Sequence, residues 1–513
     1  MNTNLAKSSI IFSFMTFLSR VLGFVRDMVA AYIFGASPGY DAFILSFRIP
    51  NLMRRLFAEG AFSQAFVPVL SEYQSTKSPD EVQDFVNHIT GNLMMILSIV
   101  TLIGIVCAPL FIYLFAPGFD ATGPRHTLAV GMLRLTFPYI FFISLTALAG
   151  SLLNTHGKFG VPAFTPVLLN ISMIIASCFL ASHMQNPEMA LAWGVLLAGV
   201  AQLAFQVPFL LRMRIMPRPR INWRDIAVRK VLILMPPALF GAAIYQITLL
   251  VDSLFASFLV PGSISWLYYA DRLMEFPLGM IGVGLTTVIL PSLSRQHSRG
   301  AKQEFAKTLD WAVRCVCLIG VPAMLGLFFL AGPLVTTLFQ SGKFTSHDVL
   351  MTTQCLMAYA LAVLGIMLAK IFSSAFYATQ NIKTPVRISI FILFSNVILN
   401  AVLIHNFAHV GLAMATSLSS ILNAGLLYRK WRATTAFVFQ PGWRTFVMRV
   451  FVASVGMALF LWFMTPTLNT WLDWSRTQRV IDLALLITGG GLIYSGVLLS
   501  LGVRPREFVL KAG

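Results

Sequence analysis

Residues 9–34 read SIIFSFMTFLSRVLGFVRDMVAAYIF, an apolar run that contains Arg20, Arg26 and Asp27. A helix that crosses the hydrocarbon core of a bilayer, roughly 30 Å thick, needs about 20 predominantly apolar residues. The run is therefore long enough to form such a helix. Charged side chains inside a spanning helix are costly and usually face a cavity, so the same stretch predicts a membrane fold and indicates where function lies.

The rest of the chain repeats this apolar pattern. Of its 513 residues, 57% are hydrophobic and 11% are charged, whereas soluble domains contain roughly 25% charged residues. This excludes a soluble globular enzyme, a disordered protein and a fibrous repeat. The sequence predicts an all-α polytopic membrane protein with fourteen transmembrane helices, at approximately 9–34, 40–70, 91–115, 127–153, 161–183, 189–212, 230–259, 264–293, 309–339, 348–378, 385–405, 410–428, 446–466 and 480–502.

Lysine and arginine are concentrated in alternate loops. The chain contains 37 Lys and Arg against 19 Asp and Glu, a net charge of +18. Positive residues near the ends of spanning helices favour the cytoplasmic side. Because the number of predicted spans is even, both termini of this multi-pass protein are predicted to be cytoplasmic. The most basic loop follows the sixth span and contains Arg212, Arg214, Arg218, Arg220, Arg224, Arg229 and Lys230.

The two halves of the chain resemble each other at a nearly constant offset. Pro68 aligns with Pro291, and Pro109 aligns with Pro333. Each half contains six predicted spans, so the two form parallel repeats, an arrangement that places a substrate site between the two lobes. The predicted domains are an N-terminal six-helix lobe at 1–223, a C-terminal six-helix lobe at 224–440 and an appended helix pair at 441–513.

Ionisable residues inside the spans cluster in the first, second and eighth. Arginine presents a planar fork of N–H donors that matches phosphate oxygens. A cavity with several arginines and few carboxylates is therefore suited to an anionic ligand such as a diphosphate. The clustered residues are Arg20, Arg26 and Asp27 in the first span, Asp41, Arg48, Arg54, Arg55 and Glu59 in the second, and Asp271, Arg272 and Glu275 in the eighth.

The position of each arginine separates two interpretations. Arg48 and Arg55 lie seven residues apart on nearly one helical face, so they could belong to an amphipathic segment with its charges near the membrane surface. Arg20, Arg26 and Arg272 lie well inside their spans. A cavity role is the better interpretation for these three.

The chain contains no P-loop and no glycine-rich nucleotide motif, so the energy for transport must come from elsewhere. No tightly bound cofactor is expected. Asp252 in span seven, with Asn396 and Asn400 in span eleven, could form a cation site for Na⁺, or Asp252 could exchange a proton. The alternative for the two Asn residues is interhelical hydrogen bonding. Membrane potential is a third driving force and requires no site.

The motifs that a membrane-embedded enzyme would need bear on the class of protein. A membrane-embedded transferase normally needs a carboxylate cluster for Mg²⁺ or a buried His nucleophile, and the sequence has no Asp-Asp pair. Transport of an anionic substrate therefore fits the sequence better than catalysis does. A cation-coupled drug or polysaccharide-lipid exporter and, less favoured, a membrane-embedded transferase stay as alternatives.

Three longer strings resemble the MurJ/MviN family. They are SRVLGFVRD at 19–27, PNLMRRLFAEGAFSQAFVP at 50–68 and YYADRLMEFP at 268–277, and the resemblance extends over essentially the whole chain. Members of this family are flippases of lipid II, the undecaprenyl-diphosphate-linked precursor of peptidoglycan. They belong to the multidrug/oligosaccharidyl-lipid/polysaccharide exporter superfamily.

The resemblance implies a fold, a mechanism and a set of site residues. It implies fourteen helices in two lobes with a C-terminal pair beside a lipid groove, and alternating access in the inner membrane. Lipid II and membrane lipids are the implied partners, together with the cell-wall synthesis machinery, and no nucleic acid is expected. The implied diphosphate-binding residues are Arg20, Arg26, Arg54 and Arg272 with Asp41, supported by Asp27, Arg55, Glu59, Asp271 and Glu275.

Overall fold

The computed structural model of this chain describes residues 3–54, 62–279, 283–435, 437 and 439–504, with the backbone alone described at 3–12, 62–64, 234–246, 283–284 and 286–287. All regular secondary structure in these ranges is helical, as the sequence predicts. Contacts divide the chain into two compact units, Met1–Ser265 and Trp266–Gly513. The domain boundaries at 223 and 440 come from the sequence alone and stay a prediction.

Proline and capping residues explain where several helices of the first unit begin. Pro79 and Pro124 lie in first turns, where a missing N–H costs no helical bond. Ser78 and Glu81 form a capping box at the first of these starts. The helices are α1 (Thr3–Phe34), α2 (Pro38–Arg54), α3 (Phe62–Thr76), α4 (Pro79–Val106), α5 (Ala108–Phe115), α6 (Pro124–Thr136), α7 (Tyr139–Thr155), α8 (Gly160–Phe179), α9 (Met189–Arg212), α10 (Ile226–Ser257) and the start of α11 (Ser263–Pro277).

The second unit continues from α11 and contains one kinked helix of 53 residues. Ala408 in that helix has a φ of 47°, a conformation that L-residues rarely adopt, so 383–407 and 409–435 are separate helical arms. The kink falls in the gap predicted between spans eleven and twelve. The helices are α12 (Val283–Ser298), α13 (Lys302–Phe329), α14 (Ala331–Phe339), α15 (Ser346–Ala360), α16 (Ala362–Ala378), α17 (Lys383–Thr435), α18 (Trp443–Met464), α19 (Leu468–Asp473) and α20 (Arg476–Ser500).

Several predicted spans are interrupted, and the interruptions recur at aligned positions of the two halves. α4 and α5 are separated at Cys107, and α13 and α14 are separated at Leu330, within one residue of the aligned position. Phe137 follows α6, and Leu361, its aligned residue, follows α15. Pro138 lacks an N–H and so cannot continue the helical bonding after α6. The two halves therefore share their breaks as well as their apolar runs.

The apolar character of the helices agrees with a membrane fold. Within the described ranges, nine helical segments are long and apolar enough to cross a membrane, judged by length and composition. Large apolar side chains such as Leu102, Val106 and Phe179 are exposed on these segments. Such surfaces are stable against lipid and would be unfavourable in water. An all-helical polytopic membrane protein is thus confirmed.

Close helix packing in the first unit positions the residues of interest. α8 packs against both α1 and α9, and α2 packs against α6. A Cβ atom at Gly194 in α9 would lie 3.0 Å from the Cβ atom of Ala176 in α8. Small residues of this kind allow helices to approach closely inside a membrane. The α1–α8 contact brings together side chains that are distant in sequence, such as Arg26 and Asn170.

The C-terminal helices of the second unit pack on α13 and α14. α18 and α20 contact each other, and α18 also contacts α13. The Tyr494 hydroxyl of α20 donates to the carbonyl oxygen of Leu318 at 2.6 Å. Trp471 of α19 is fully buried, and its Nε1 donates to Thr337 Oγ1 at 3.1 Å. These contacts attach the last helices of the chain to the rest of the second unit.

Candidate functional site

Arg26 is the most buried of the predicted site arginines that the structure describes. The residue lies in α1 and is 5% exposed as a whole, next to Asp27 at 2%. Arg26 Nη2 and Nε donate to Asp27 Oδ1 at 2.7 and 3.0 Å. The remaining nitrogen, Nη1, donates to Asn170 Oδ1 at 3.2 Å. The guanidinium is thus fixed in one plane by two oxygen acceptors.

Asn170 is a functional candidate that the sequence analysis missed. It lies in α8, and its Nδ2 donates to the carbonyl oxygen of Ser19 in α1 at 2.9 Å. Asn170 therefore holds both the backbone of α1 and the Arg26 side chain. A buried amide in a spanning helix usually serves interhelical bonding, and this was the available signal. Asn170 is neutral, so the pattern of ionisable residues does not mark it.

Arg20 lies six residues before Arg26 on α1 and is exposed. Six residues correspond to about 9 Å along a helix and about 120° of rotation about its axis, by standard helix geometry. The two arginines therefore cannot grip one atom together, but they can contact different parts of an extended ligand. Arg20 is the more accessible of the two.

Asp41, in the first turn of α2, is fully buried and accepts bonds on both oxygens. Oδ1 accepts the N–H and the hydroxyl of Ser265, at 2.9 and 2.6 Å. Oδ2 accepts the Gly262 N–H at 2.6 Å and Arg125 Nη2 at 3.3 Å. Gly262 has a φ of 97°, which favours glycine at this turn. Asp41 therefore fixes the turn that precedes α11 to the start of α2.

Arg125 is the second residue that the sequence analysis did not select. It lies in the first turn of α6, where the α2–α6 contact brings it to Asp41. Its guanidinium carbon lies 4.3 Å from the centroid of the Phe119 ring. The cation therefore stacks on an aromatic face while it pairs with the carboxylate.

The two arginines described in α2, Arg48 and Arg54, bond to partners in different helices. Arg48 Nη1 donates to the carbonyl oxygen of Leu249 at 2.9 Å and to Ser253 Oγ, both in α10. Arg54 Nε donates to Asn51 Oδ1 at 3.0 Å, one turn back on α2. Arg48 thus ties α2 to α10, whereas Arg54 is half-buried at the end of its own helix. The predicted residues Arg55 and Glu59 lie outside the described residues.

Arg272 belongs to the second unit and is held more loosely than Arg26. Its Nη1 pairs with Glu275 Oε2 at 2.9 Å, and the two side chains are 30% and 33% exposed. Its Nε donates to the Tyr268 hydroxyl at 3.3 Å, and its guanidinium carbon lies 5.4 Å from the centre of that ring. Asp271 is half-buried beside it. Tyr268 is therefore a further residue that orients this arginine.

The three residues predicted as a cation site fall in different units. Asp252 lies in α10 of the first unit and is almost fully buried. Asn396 and Asn400 lie in α17 of the second unit, fully buried, and Asn400 Nδ2 donates to Asn396 Oδ1 at 3.1 Å. The described residues hold no group of three or more His, Cys, Asp or Glu side chains arranged for a metal ion. The cation site stays a prediction.

Comparison with known proteins decides the family. The family model of the lipid II flippase MurJ matches residues 30–480. The chain belongs to the MurJ lipid II flippase family. This confirms the resemblance found in the motifs around Arg54 and Arg272.

Individual relatives match along nearly their whole length. A protein of Vibrio cholerae named probable lipid II flippase MurJ is 46% identical over 515 residues, covering 99% of this chain and 98% of that protein. The lipid II flippase MurJ of Burkholderia cenocepacia is 40% identical, covering 99% of this chain and 100% of that protein. These alignments include the two C-terminal helices.

Solved structures agree with the fold. A lipid II flippase MurJ in an inward closed conformation matches with a TM-score of 0.81 and 29% identity, over 96% of this chain and 100% of that chain. An inward-facing multidrug resistance MATE family transporter of the MOP superfamily matches with a TM-score of 0.69, at 13% identity, over 83% of this chain and 98% of that chain. The second likeness shows a shared fold alone.

Proposed function

We propose that this chain moves lipid II from the cytoplasmic to the periplasmic leaflet of the inner membrane, and so supplies peptidoglycan synthesis. Membership of the flippase family gives the substrate class. The observation in the structure that carries the proposal is Arg26, a guanidinium fixed in an apolar segment by Asp27 and Asn170. A rigid cation of this kind is prepared to recognise phosphate oxygens.

Four arginines contact the diphosphate in this proposal. Arg26 provides the fixed contact, while the exposed Arg20 and the half-exposed Arg272 provide adjustable ones. The fourth is Arg54, which Arg55 and Glu59 follow in the sequence. Asp27, Asp271 and Glu275 balance the charge of these arginines, which would otherwise repel one another in a medium of low dielectric constant.

Asp41 has a different role in the proposal. Its carboxylate already accepts hydrogen bonds from Arg125, Gly262 and Ser265. This geometry favours a contact that holds the cavity closed in one conformation over a direct contact with the substrate. Alternating access requires contacts that form in one conformation and break in another. We assign the bonds of Asp41 to this class. The role of Asp41 as a substrate contact stays an expectation of the family resemblance.

The helices cross the membrane fourteen times if each pair of helices that forms one interrupted span counts as a single crossing. α17 then crosses twice, on either side of Ala408, and both termini lie in the cytoplasm. This supports two six-helix lobes followed by α18 and α20 beside a groove for the lipid chain. The pairs that count as single crossings are α2 with α3, α4 with α5, α6 with α7, α11 with α12, α13 with α14, and α15 with α16.

Transport of labelled lipid II in proteoliposomes tests the proposal. Full-length chain is reconstituted with and without a Na⁺ gradient, a proton gradient or a membrane potential, and the fraction of lipid II exposed outside is followed. We expect the wild type to transport lipid II and Arg26→Lys to abolish transport. Lysine carries a point charge and cannot reproduce the planar fork of N–H donors of arginine. Arg299→Lys, in an exposed loop predicted to be cytoplasmic, is the matched control. Full transport by both Arg26→Ala and Arg272→Ala would refute the arginine site.

A further inference from the structure

The basic segment between α9 and α10 is bonded to the surface of α4. We call residues 213–225 the basic strap. Asn87 Oδ1 accepts the Arg218 N–H at 2.6 Å, and the Asn87 carbonyl oxygen accepts the Arg220 N–H at 3.1 Å. Asn92 Nδ2 donates to the Asn222 carbonyl oxygen at 2.8 Å, and Asn92 Oδ1 accepts the Asn222 N–H at 3.1 Å. Both α4 asparagines are buried, so the strap has one defined position.

Glycine allows the strap to lie this close to α4. A Cβ atom at Gly91 would be 2.3 Å from the carbonyl oxygen of Arg220, so no other residue fits without displacing the strap. Nearer the start of α4, Gln83 Nε2 donates to the carbonyl oxygen of Met216 at 3.2 Å. The contacts thus advance along α4 as the strap proceeds from residue 216 to residue 222.

This direction sets the depth of the strap. The first three turns of α4 are polar, and its apolar part begins at about residue 91. Because Asn222 is bonded to Asn92, residues 221–226 lie where α4 enters the apolar layer. Asp225 then turns the chain into α10, because its Oδ1 accepts the Ala227 N–H at 2.8 Å and its Oδ2 lies 2.7 Å from His88 Nδ1.

The deep end of the strap and the first residue of α10 expose apolar and cationic side chains together. Ile221 is 60% exposed, Trp223 46% and Ile226 82%. Arg224 is exposed between Trp223 and Ile226, and Arg218 is exposed earlier in the strap. Arg220 is also exposed, and its Nη1 lies 3.7 Å from Asp84 Oδ1. Tryptophan is favoured at the level of lipid headgroups, and arginine is attracted to anionic lipid surfaces. Exposed isoleucine beside these groups is unfavourable in water and favourable against acyl chains.

We propose that residues 218–226 form a binding surface for anionic phospholipid headgroups. The Trp223 ring lies in the headgroup layer, and Arg218, Arg220 and Arg224 contact lipid phosphates. Because the strap is bonded to α4 and leads directly into the cap of α10, bound lipid holds the start of α10 at a fixed depth. A zwitterionic lipid offers the same apolar layer without net charge, so the surface favours anionic lipids.

Quenching of Trp223 fluorescence by brominated lipids tests this proposal. The full-length chain is placed in nanodiscs of phosphatidylcholine and phosphatidylglycerol in equal amounts, with bromine on the acyl chains of one lipid or the other. The emission of Trp223 is the difference between the wild type and Trp223→Phe. We expect both brominated lipids to quench it, and phosphatidylglycerol to quench it more strongly.

The charge of the strap is then removed. Arg218→Gln, Arg220→Gln and Arg224→Gln in one chain should reduce the preference for phosphatidylglycerol by at least about fivefold, the factor expected for one cation near an anionic surface. Arg295→Gln, Arg299→Gln and Lys302→Gln remove the same charge from another exposed region and should leave the preference unchanged. Thermal unfolding of both variants checks that they are folded.

Two results would overturn the proposal. If neither lipid quenches Trp223, the strap faces water or a protein partner. Equal quenching by the two lipids in the wild type would mean that the segment lies at the membrane surface without selecting anionic headgroups.

Discussion

The two compact units hold their membrane arginines by different means. In the first unit, Arg26 and Asp27 pair at 2.7 Å with side chains that are 6% and 3% exposed. In the second unit, Arg272 and Glu275 pair at 2.9 Å, but both side chains are about a third exposed. A buried pair loses much when one partner is removed, whereas a half-exposed pair exchanges partners with water at little cost. We therefore interpret Arg26 as a fixed contact and Arg272 as an adjustable one.

The two units also differ in how a buried carboxylate is bonded. Asp41 of the first unit joins α2 to Arg125 and to the turn before α11. Asp348 of the second unit accepts Trp266 Nε1 at 2.8 Å and otherwise caps its own helix through Thr345. The first carboxylate depends on partners from two other segments, while the second is satisfied largely within one turn. Replacing Asp41 in the first unit should therefore destabilise the protein more than replacing Asp348 in the second unit.

The largest effect is expected from Asp27→Asn. Removing this charge leaves the Arg26 guanidinium buried without its Asp27 counter-ion, which should lower the free energy of unfolding by about 3–5 kcal/mol. Thermal unfolding of the purified chain in detergent measures the change, and lipid II transport should be lost as well. Asp84→Asn, at an acid that is 58% exposed, is the matched control. If both variants unfold at the same temperature, the buried-pair interpretation of Arg26 is wrong.

Asp41→Asn should have the next largest effect. An amide has a single acceptor oxygen, so at least one of the Ser265 and Gly262 donors is left unsatisfied, at a cost of about 2–3 kcal/mol. Asp348→Asn in the second unit should cost about 1 kcal/mol, the usual value of a helix cap. The comparison of unfolding temperatures checks the order.

A double-mutant cycle isolates the ion pair of Asp41. In a chain that already carries Arg125→Gln, Asp41→Asn should cost less than it does alone, because no positive charge is left unpaired. Additive effects of the two changes would show that Asp41 and Arg125 do not interact, despite their separation of 3.3 Å.

The sequence was sufficient to select three charged residues of the candidate site. Arg26, Asp41 and Arg272 stand out because ionisable residues are rare and costly in apolar segments. Their partners could not be selected in the same way. Asn170 is neutral and far from Arg26 in sequence, and Arg125 is separated from Asp41 by several helices. Only the helix packing brings these side chains together.

The helical membrane fold was also predictable, but its interruptions only in part. Pro138 signals the break between α6 and α7, because it cannot donate a helical bond. Leu361, at the corresponding break in the second unit, is surrounded by good helix formers, so nothing in the local sequence marks it. Its position follows only from the alignment of the two halves, which places Leu361 opposite Phe137.

Asn170→Ala should have a moderate effect. It removes the acceptor of Arg26 Nη1 and the donor to the Ser19 carbonyl oxygen, at a cost of about 1–3 kcal/mol. Transport should fall with it, because the guanidinium can then rotate. Tyr268→Phe is the corresponding change beside Arg272; it keeps the ring and removes only the hydroxyl, so a smaller loss is expected. A larger loss from Tyr268→Phe in unfolding and transport assays would reverse our assignment of fixed and adjustable contacts.

The smallest effect on stability is expected from Glu275→Gln. The pair with Arg272 is half-exposed, so its loss should change the free energy of unfolding by less than about 1 kcal/mol. Arg272 keeps the Tyr268 hydroxyl and ring as partners, and so stays near its position. Arg272→Lys should leave stability equally unaffected, yet it should abolish lipid II transport, because a lysine presents no planar fork to a diphosphate. A variant that transports normally with Lys at 272 would show that this arginine contributes only charge, and the adjustable contact would then have to lie elsewhere in the second unit.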